Sequence, residues 1–310
     1  MRVCHIVNSF DPACDVLRCV RELNLYSRYS HSLYVKDPHP LQNIFKYEQP
    51  DNPGWLMQQE EAVALINEAD VFIHHFTGWE EGLEDNTKPS AFRNICTYYD
   101  HVRNRFWTAP QYNAISYDRY KLLASSHIGA LDFMPTDRFR WLPDLLPLDG
   151  AYSFNPDVRP YPAVSYIKHA DELRIMDFRD VVHLDCSRTA HTEVLAKRRS
   201  LASVVIDNVC DGHYGLAGQE AVILGLPVFV FNHERTSKIM DGWCKKGTIY
   251  PFCYTDSVQD AAEMAVLMAK RKISEQQEIR FGIRKWAEEF LAPQHLISEY
   301  WDPFVEELAS

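Results

Sequence analysis

The residues best suited to chemistry lie in one short stretch, where a turn with two glycines leads into a helix that carries a glutamate. A buried strand is predicted over residues 203–207, Gly215 and Gly218 follow, and Glu220 lies in the first turns of a helix predicted over 216–224. Glycine lets a ligand approach the backbone, and the N–H groups of a helix N-terminus attract phosphate. A carboxylate beside them is placed to accept hydrogen bonds from the two hydroxyls of a ribose. Each feature alone is common, so the prediction depends on their order.

Two cations follow predicted strands in the same half of the chain and would suit a diphosphate. Arg188 comes after a strand predicted over 181–185, and Lys168 comes after one predicted over 163–167. A departing nucleoside diphosphate needs cations or helix N-termini to stabilise its charge. Exposed Arg and Lys residues are abundant in most sequences, so an ordinary surface position is the alternative for each.

Titratable residues at predicted strand ends in the first half of the chain are candidates for catalysis. His75 ends a strand over 70–75, and Asp100 and His101 follow a strand over 94–99. Strand ends that meet at one edge of a parallel sheet would bring these groups together, as a general base or to orient a hydroxyl group. A packed or hydrogen-bonded structural role is the alternative.

The loop predicted after the first strand, over residues 8–15, lies at the same expected edge of the sheet. It contains Ser9, Asp11 and Asp15, which could shape the pocket for an acceptor molecule. The alternative is a Pro-containing turn in which an aspartate caps the following helix. The residue types do not decide between these two interpretations.

Predicted strands and helices alternate along both halves of the chain, which indicates parallel sheets covered by helices. In the first half the strands are 3–7, 32–35, 70–75 and 94–99 with a closing segment at 141–143, and the helices are 14–26, 56–68 and a short one over 117–123. In the second half the strands are 163–167, 181–185, 203–207 and 228–231, and the helices are 192–199, 216–224, 261–271, 275–290 and 295–308.

A proline-rich segment separates the two halves, since residues 143–162 contain five of the 17 prolines. We therefore predict an α/β protein with two Rossmann-like, doubly wound domains that face each other across a cleft. The first domain would comprise residues 1–148 and the second residues 149–294. Open parallel sheets bind ligands beyond the carboxyl ends of their strands, so the cleft is the expected site.

Composition argues against several classes of protein. The 310-residue chain has a formal net charge of −11, which disfavours a nucleic-acid-binding surface. Its eight cysteines form no Cys-x-x-Cys pair, which argues against a zinc ribbon or a disulfide framework. No apolar run approaches the roughly 20 residues of a membrane helix, and no secretory signal is present, so a cytoplasmic protein is expected. Asp-x-Asp, Gly-x-Gly-x-x-Gly and Gly-x-x-x-x-Gly-Lys are all absent, which argues against a paired-aspartate metal site, a dinucleotide fold and a P-loop.

The stretch from Gly212 to Val228 resembles the donor-binding segment of family 4 glycosyltransferases (group 1) and their GT-B relatives. That segment has a strand followed by a turn with Gly-Leu-x-x-x-Glu-Ala and then Gly-x-Pro-Val, matched here by Gly215 to Ala221 and by Gly225 to Val228. Weaker similarity to the family continues, in order, through 68–75, 87–100, 141–144 and 283–300. It covers nearly the whole chain, but only the segment over 203–228 is specific by itself.

The resemblance implies a nucleotide-sugar donor, linked to UDP or GDP, that is held by the second domain. Glu220 would hold the ribose of this donor, and Arg188 and Lys168 would face its diphosphate. The remaining donor-binding residues lie in the turn and the start of the helix: Asp211, His213, Gly215, Leu216 and Ala217. The family also implies transfer with retention of configuration, with no metal ion and no cofactor, and a C-terminal helix over 295–310 that crosses back to the first domain.

Two positions depart from the family pattern. Gly212, with Asp211 beside it, stands where the family has a glutamate that contacts the donor sugar, and Tyr99 stands where it has a histidine. We predict a hexosyl- or pentosyltransferase acting on an acceptor hydroxyl of a glycan or small molecule. The alternatives are a sugar-nucleotide epimerase-like enzyme, a non-catalytic binder of nucleotide-sugars, and a transferase acting on a modified DNA base. The sequence makes no prediction of the oligomeric state.

Overall fold

A computed structural model of the chain describes residues 1–7, 10–35, 66–75, 87–93, 97–100, 105–108, 117–127, 137–156, 163–166, 182–185, 196, 198, 201–207, 215–230, 251–255 and 258–310. The chain forms two units, each built on its own parallel sheet. Unit 1 comprises Met1–Thr97, Phe106–Leu146 and Pro293–Ser310, and unit 2 comprises Tyr98–Arg105 and Pro147–Ala292. Within the described ranges, no helix is both long enough and apolar enough to cross a membrane.

Unit 1 contains a six-stranded parallel sheet with the strand order β2-β1-β3-β4-β7-β8. Its strands are β1 (Arg2–Val7), β2 (Ser30–Val35), β3 (Val71–His75), β4 (Ser90–Arg93), β7 (Leu122–Ser125) and β8 (Phe139–Trp141), and helix α1 (Phe10–Tyr26) joins the first two. Two further strands, β5 (Thr97–Asp100) and β6 (Arg105–Thr108), pair in a separate sheet. Every side chain of β3, β4 and β7 is buried, as in parallel sheets covered on both faces.

Unit 2 contains a five-stranded parallel sheet with the order β10-β9-β11-β12-β13. Its strands are β9 (Ala163–Tyr166), β10 (Val182–Asp185), β11 (Val204–Ile206), β12 (Val228–Val230) and β13 (Phe252–Tyr254), and its helices are α2 (Leu216–Ile223), α3 (Val258–Ala269) and α4 (Ile273–Phe290). Residues 218–223 of α2 are all buried, so this part of the helix belongs to the interior of the unit, while Leu216 and Ala217 at its start are partly exposed.

The C-terminal segment completes the core of unit 1. It runs as α5 (Pro293–Leu296), a π-helical turn (Ile297–Trp301) and α6 (Asp302–Ala309). Trp301 is fully buried, its indole N–H donates to the carbonyl oxygen of Pro143 at 3.0 Å, and the Arg93 guanidinium lies 4.8 Å from its ring centre. The apolar cluster around it joins α1, the sheet and this segment through Val3, Cys19, Leu23, Val71, Ile73, Leu142, Phe304, Val305 and Leu308.

Two predictions for the first half differ from the structure. The strand predicted over 94–99 is present as β5 (Thr97–Asp100), but β5 pairs with β6 in a separate sheet, and β4 is the strand that lies beside β3 in the six-stranded sheet. β4 begins with Ser90 and ends with Arg93, and both side chains are buried. Polar residues at both ends leave too short an apolar run for the sequence to indicate a strand there. The short helix predicted over 117–123 is wrong, since a single 3₁₀ turn (Tyr117–Arg119) is followed by β7.

Helix α1 begins earlier than predicted, at Phe10, so the backbone of Asp11 and Asp15 is helical and not part of a loop. Pro12 is compatible with this start, because N–H groups in the first turn have no partner within the helix. Aspartates near a helix N-terminus also interact favourably with the helix dipole. The proline that suggested a turn therefore lies in the first turn of the helix.

Gly225 ends the turn after α2 with a left-handed backbone, at φ +76°, and a Cβ there would lie 2.5 Å from Cε2 of Phe154 and 3.0 Å from the carbonyl oxygen of Arg280. We expect Gly225→Ala to lower the free energy of unfolding by roughly 3 kcal/mol. About 1–2 kcal/mol of this comes from the left-handed conformation, and the rest from displacing the Phe154 ring. Urea unfolding of unit 2 measures the loss.

Gly150→Ala is the matched control for this prediction. Gly150 also has a left-handed backbone, at φ +58°, but nothing lies within 4 Å of a Cβ placed there. Its substitution should therefore cost only the conformational part, about 1–2 kcal/mol. Equal losses for the two variants would contradict the packing argument at Gly225.

Candidate functional site

Each sheet reverses its strand order at one point, and open parallel sheets bind ligands beyond the carboxyl ends of the strands at that point. In unit 1 it lies between β1 and β3, whose last residues, Val7 and His75, are in register. In unit 2 it lies between β9 and β11, where Tyr166 is in register with Ile206 and Asp207 follows. These two edges are the candidate sites.

At the edge of unit 2, the buried carboxylate of Asp207 caps α2. Its Oδ2 accepts hydrogen bonds from the backbone N–H groups of Gly215 at 2.7 Å and Gly218 at 3.0 Å. Its negative charge also interacts favourably with the helix dipole. The N–H groups of Leu216 and Ala217 donate no hydrogen bond to any part of the chain that the structure describes. They are the two N–H groups of this helix end that Asp207 does not occupy.

Glu220, predicted to hold a ribose, is buried in unit 2 with a relative exposure of 3%. Its Oε2 lies 3.6 Å from the guanidinium of Arg198, which is fully buried, and its Oε1 accepts from the Tyr152 hydroxyl at 3.3 Å. Charge-assisted hydrogen bonds are normally about 2.7–2.9 Å long, so both contacts are loose. The carboxylate is thus neutralised by a buried cation without a tight bond to it.

Tyr152 is held against this cluster by Arg284 of α4. Arg284 donates to the carbonyl oxygens of Leu148 and Ile223 at 2.8 Å each, and to that of Tyr152 at 3.4 Å. These bonds attach the segment before β9 to both α2 and α4. The hydroxyl of Tyr152 is consequently directed at Glu220 by backbone contacts elsewhere in unit 2.

At the edge of unit 1, His75 and Arg93 end neighbouring strands and are in register. Both side chains are buried. The Arg93 guanidinium donates to Oδ1 of Asp144 at 2.7 Å and to the carbonyl oxygens of Leu142 and Pro143 at 3.3 and 3.4 Å. A cation and an imidazole therefore lie side by side at the switch point of this sheet.

The imidazole of His75 is neutral at neutral pH. Burial lowers its pKa well below the ordinary value, and the charges of Arg93 and His74 lower it further. Within the described part of the chain its Nδ1 is buried and has no hydrogen-bond partner. A neutral imidazole with an open nitrogen can accept a proton or a hydrogen bond. Among the described residues, no group of three or more His, Cys, Asp or Glu side chains is arranged to hold a metal ion.

The other predicted site residues are only partly covered by the structure. Asp100 is the last residue of β5, so it does not end a strand of the six-stranded sheet as predicted. Asp11 and Asp15 lie on α1. The remaining ones fall outside the described residues: Ser9, His101, Lys168, Arg188, Asp211 and His213.

Four residues of the two edges were not predicted from the sequence: Arg93, Tyr152, Arg198 and Asp207. For Asp207 a signal exists, since it is an acid directly after a buried strand and before a glycine-containing turn. Tyr152 and Arg198 come from segments remote from Glu220, and their pairing with it follows only from the fold. Arg93 is the last residue of β4, a strand that was not predicted from the sequence.

No protein-family model matches the sequence, and no curated protein has a significantly similar sequence. Solved structures do match. HepE from Anabaena, in complex with UDP-glucose, aligns with a TM-score of 0.56 and 10% identity over 100% of this chain and 99% of that one. The apo form of the lipopolysaccharide outer core galactosyltransferase WaaB aligns with a TM-score of 0.55 and 9% identity over 99% of both chains. TarM aligns with a TM-score of 0.50 and 10% identity over 77% of this chain.

The chain spans 55% of the length of TarM but nearly the whole length of HepE and WaaB. These matches show the fold, which is α/β with two parallel-sheet units, as in GT-B glycosyltransferases. The fold class predicted from the sequence is therefore confirmed. At about 10% identity, the matches do not carry over an activity or a substrate.

Proposed function

We propose that this chain is a glycosyltransferase that moves a sugar from a nucleoside-diphosphate sugar, linked to UDP or GDP, to an acceptor hydroxyl of a glycan or small molecule. Unit 2 would bind the donor and unit 1 the acceptor. The resemblance to family 4 favours a retaining transfer without a metal ion or a cofactor. The GT-B fold is compatible with this activity, and the described residues of the two sheet edges supply groups suited to it.

The observation that carries the proposal is the position of α2. The N-terminus of this helix is capped by Asp207, the residue that follows β11 at the switch point of unit 2, and the Leu216 and Ala217 N–H groups lie at this end of the helix. A diphosphate bound there would accept hydrogen bonds from these donors and gain from the helix dipole. Glu220, one turn further on, would receive the ribose hydroxyls after its loose contacts with Arg198 and Tyr152 rearrange.

Asp207 sets a condition on this donor site. Its carboxylate lies at the same helix end as the expected diphosphate, and two like charges at such a distance repel each other. A donor diphosphate therefore needs additional cations, and Arg188 and Lys168 are our candidates. Asp211 and His213 would then contact the donor sugar at the position where Gly212 departs from the family pattern.

His75 is the proposed proton acceptor on the side of unit 1, because its open Nδ1 is buried at the switch point of that sheet. Asp100 and His101 are further candidates for orienting the acceptor. Asp11 and Asp15 lie near the start of α1, the helix that follows β1, and we propose that they and Ser9 shape the acceptor pocket. Arg93 would stabilise negative charge that develops near His75.

Calorimetric titration with UDP-glucose, GDP-mannose and free UDP tests the donor site. We expect one of the nucleotide-sugars to bind, and Glu220→Gln to weaken its binding at least about tenfold, because a carboxylate bond to a hydroxyl contributes about 1.5–3 kcal/mol. Glu263→Gln is the matched control, since Glu263 is an exposed glutamate of α3 in the same unit. Equal affinities for the two variants would refute the role of Glu220.

Product analysis separates transfer from the alternative activities. A transferase should release the nucleoside diphosphate only when an acceptor is supplied, apart from slow hydrolysis. Conversion of the sugar-nucleotide without any acceptor would indicate an epimerase-like enzyme, and binding without turnover would indicate a non-catalytic protein. Binding to DNA that weakens steeply with added salt would point to a modified base as the acceptor.

A further inference from the structure

Three buried histidines form a diagonal across the sheet of unit 1 on neighbouring strands. His5 Nδ1 lies 2.8 Å from His75 Nε2, and His5 Nε2 lies 3.0 Å from His31 Nδ1. The strand register explains the diagonal, because His31 is opposite Val3 and His75 is opposite Val7, each two residues from His5. All three side chains project from the face of the sheet that α1 and the C-terminal segment cover.

The diagonal continues to the surface through a serine and an aspartate. His31 Nε2 lies 3.1 Å from Ser27 Oγ, and the Ser27 hydroxyl donates to Oδ1 of Asp302 at 2.6 Å. The Asp302 side chain is 11% exposed and lies 3.5 Å from the exposed guanidinium of Arg28. The chain of contacts therefore runs from the carboxyl end of β3 to the first residue of α6.

The direction of every hydrogen bond follows from the Asp302 end. A carboxylate can only accept, so the single hydroxyl proton of Ser27 is committed to Asp302. His31 must then donate to Ser27 from Nε2, which leaves its Nδ1 to accept from His5 Nε2. By the same argument His5 Nδ1 accepts from His75 Nε2. Each neutral imidazole thus carries its proton on Nε2, and the last nitrogen, Nδ1 of His75, is left as an acceptor.

The surroundings hold this order in place. Asn24 of α1 donates from Nδ2 to the carbonyl oxygen of His31 at 2.8 Å and accepts from the His31 N–H at 3.0 Å. The backbone N–H of Tyr29 donates to Ser27 Oγ at 3.1 Å, which fills the remaining lone pair of that oxygen. These contacts hold the row of hydrogen-bonded side chains in a preorganised arrangement. At one end of this row the buried Nδ1 of His75 has no hydrogen-bond partner among the described residues.

We propose that His75, His5, His31, Ser27 and Asp302 form a proton relay that carries the proton of the acceptor hydroxyl from the carboxyl edge of unit 1 to the carboxylate of Asp302. This inference rests on the proposed function, because that function supplies the acceptor hydroxyl from which the proton comes. The order and direction of the hydrogen bonds follow from the structure alone. In this proposal His75, which is buried at the end of β3, would receive the proton from the substrate, and the other four would be positioning residues that move the charge away.

The step balances with one proton transferred at each link. As the acceptor oxygen attacks the sugar, its proton moves to His75 Nδ1, and the Nε2 proton of His75 moves to His5 Nδ1. The Nε2 proton of His5 moves to His31 Nδ1, that of His31 moves to Ser27 Oγ, and the former Ser27 proton protonates Asp302. All three imidazoles end neutral, each with its proton on Nδ1. The relay resets by the reverse passage: Asp302 returns its proton to Ser27, each imidazole regains its proton on Nε2, and His75 Nδ1 releases a proton to the departing nucleoside diphosphate.

The neighbouring charges explain why the proton does not stay at His75. Arg93 lies beside it on β4, His74 precedes it on β3, and burial disfavours an imidazolium ion at His5, His31 and His75. At the other end, Arg28 and Glu306 flank Asp302 at the protein surface. The only ionised member of the relay is therefore the one in contact with solvent.

The tautomers of the three histidines test the direction of the hydrogen bonds without any substrate. Nitrogen-15 NMR of the histidine side chains at pH 7 should show protons on Nε2, and none on Nδ1, for His5, His31 and His75. A proton on Nδ1 of His75 would reverse the chain and overturn the relay, whether or not the protein binds a donor. The expected tautomers in a protein that turns over no nucleotide-sugar would instead overturn the proposed function, while the direction of the hydrogen bonds would stand.

Asp302→Asn tests the transfer, because asparagine still accepts the Ser27 hydrogen bond but cannot take up a proton. We expect kcat to fall at least about tenfold while the donor Kd from calorimetry stays unchanged. Glu306→Gln is the control, since Glu306 lies on the same helix and contacts Arg28 and Tyr29 but no member of the relay. An unchanged kcat in Asp302→Asn, or an equal loss in both variants, would overturn the proposal.

Discussion

Acidification should unfold unit 1 near pH 5, because four histidines are buried in its sheet as neutral imidazoles. Burial lowers the pKa of His31 to about 3 and that of His74 to about 4, and it lowers the pKa of His5 and His75 well below the ordinary value. Below pH 6.5 the unfolded chain takes up protons that the folded chain does not, so the free energy of unfolding falls as the pH drops.

Each such histidine costs about 1.4 kcal/mol per pH unit below about 6.5. Down to pH 4, His31 and His74 alone lower the free energy of unfolding by roughly 3 kcal/mol per pH unit, and His5 and His75 act in the same direction. Total stabilities of proteins are only about 5–15 kcal/mol, so the effect is decisive. Urea unfolding between pH 5.5 and 8, followed by tryptophan fluorescence, measures the slope.

Two variants of β3 separate titration from packing. His74→Leu should reduce the slope by about 1.4 kcal/mol per pH unit, because one titrating group is removed. Ile73→Val, at the adjacent buried position, should lower stability by about 1 kcal/mol at every pH and leave the slope unchanged. A flat pH dependence in the unmodified protein would show that these histidines are not held neutral.

The second large effect concerns the buried ion pair of unit 2. Arg198→Met should lower the free energy of unfolding by about 3–5 kcal/mol, because it leaves the buried carboxylate of Glu220 without its cation. Replacing both residues in Arg198→Met/Glu220→Met should cost less than the single change, since a buried pair and an apolar pair of similar volume have comparable stability. Thermal unfolding of the single and double variants gives the coupling energy.

Glu68→Gln is the control for burial. Glu68 pairs with Arg2 in unit 1, but both side chains are more than half exposed, at 55% and 57%. Solvent screens such a pair, so we expect a loss below about 1 kcal/mol. A loss for Arg198→Met as small as this one would mean that Glu220 does not depend on Arg198.

The fold could be predicted because long apolar strands and helices have recognisable local patterns in the sequence. The segment over 203–228 is correct to within two residues at every boundary, as β11, α2 and β12 are buried runs separated by glycine and proline. β4 and β13 escaped prediction, since each has three or four residues and β4 has polar ends. Short strands contain too few residues for a periodic pattern to stand out.

The chemistry of the two edges was less predictable, because it depends on register and long-range pairing. His75 was singled out for its place at a strand end, but its contact with His5 needs the offset between β1 and β3, and that of His5 with His31 needs the offset between β1 and β2. The link from Ser27 to Asp302 joins residues 275 positions apart. Glu220 was chosen for a ligand-facing role, and only the fold reveals that Arg198 and Tyr152 surround it.

Unit 1 is discontinuous in sequence, and this restricts the order in which it can fold during synthesis. Residues 301–308 provide the last wall of its core, and they leave the ribosome only after the whole of Pro147–Ala292 has been made. Until the C-terminal segment is synthesised, one apolar face of the first sheet and His5 lack the cover that this segment provides. All the strands of unit 2 are already available to fold by then. Asp302, which is synthesised with those last residues, is also the proton-accepting end of the relay, so a prematurely terminated chain would lack both this packing and the proton acceptor.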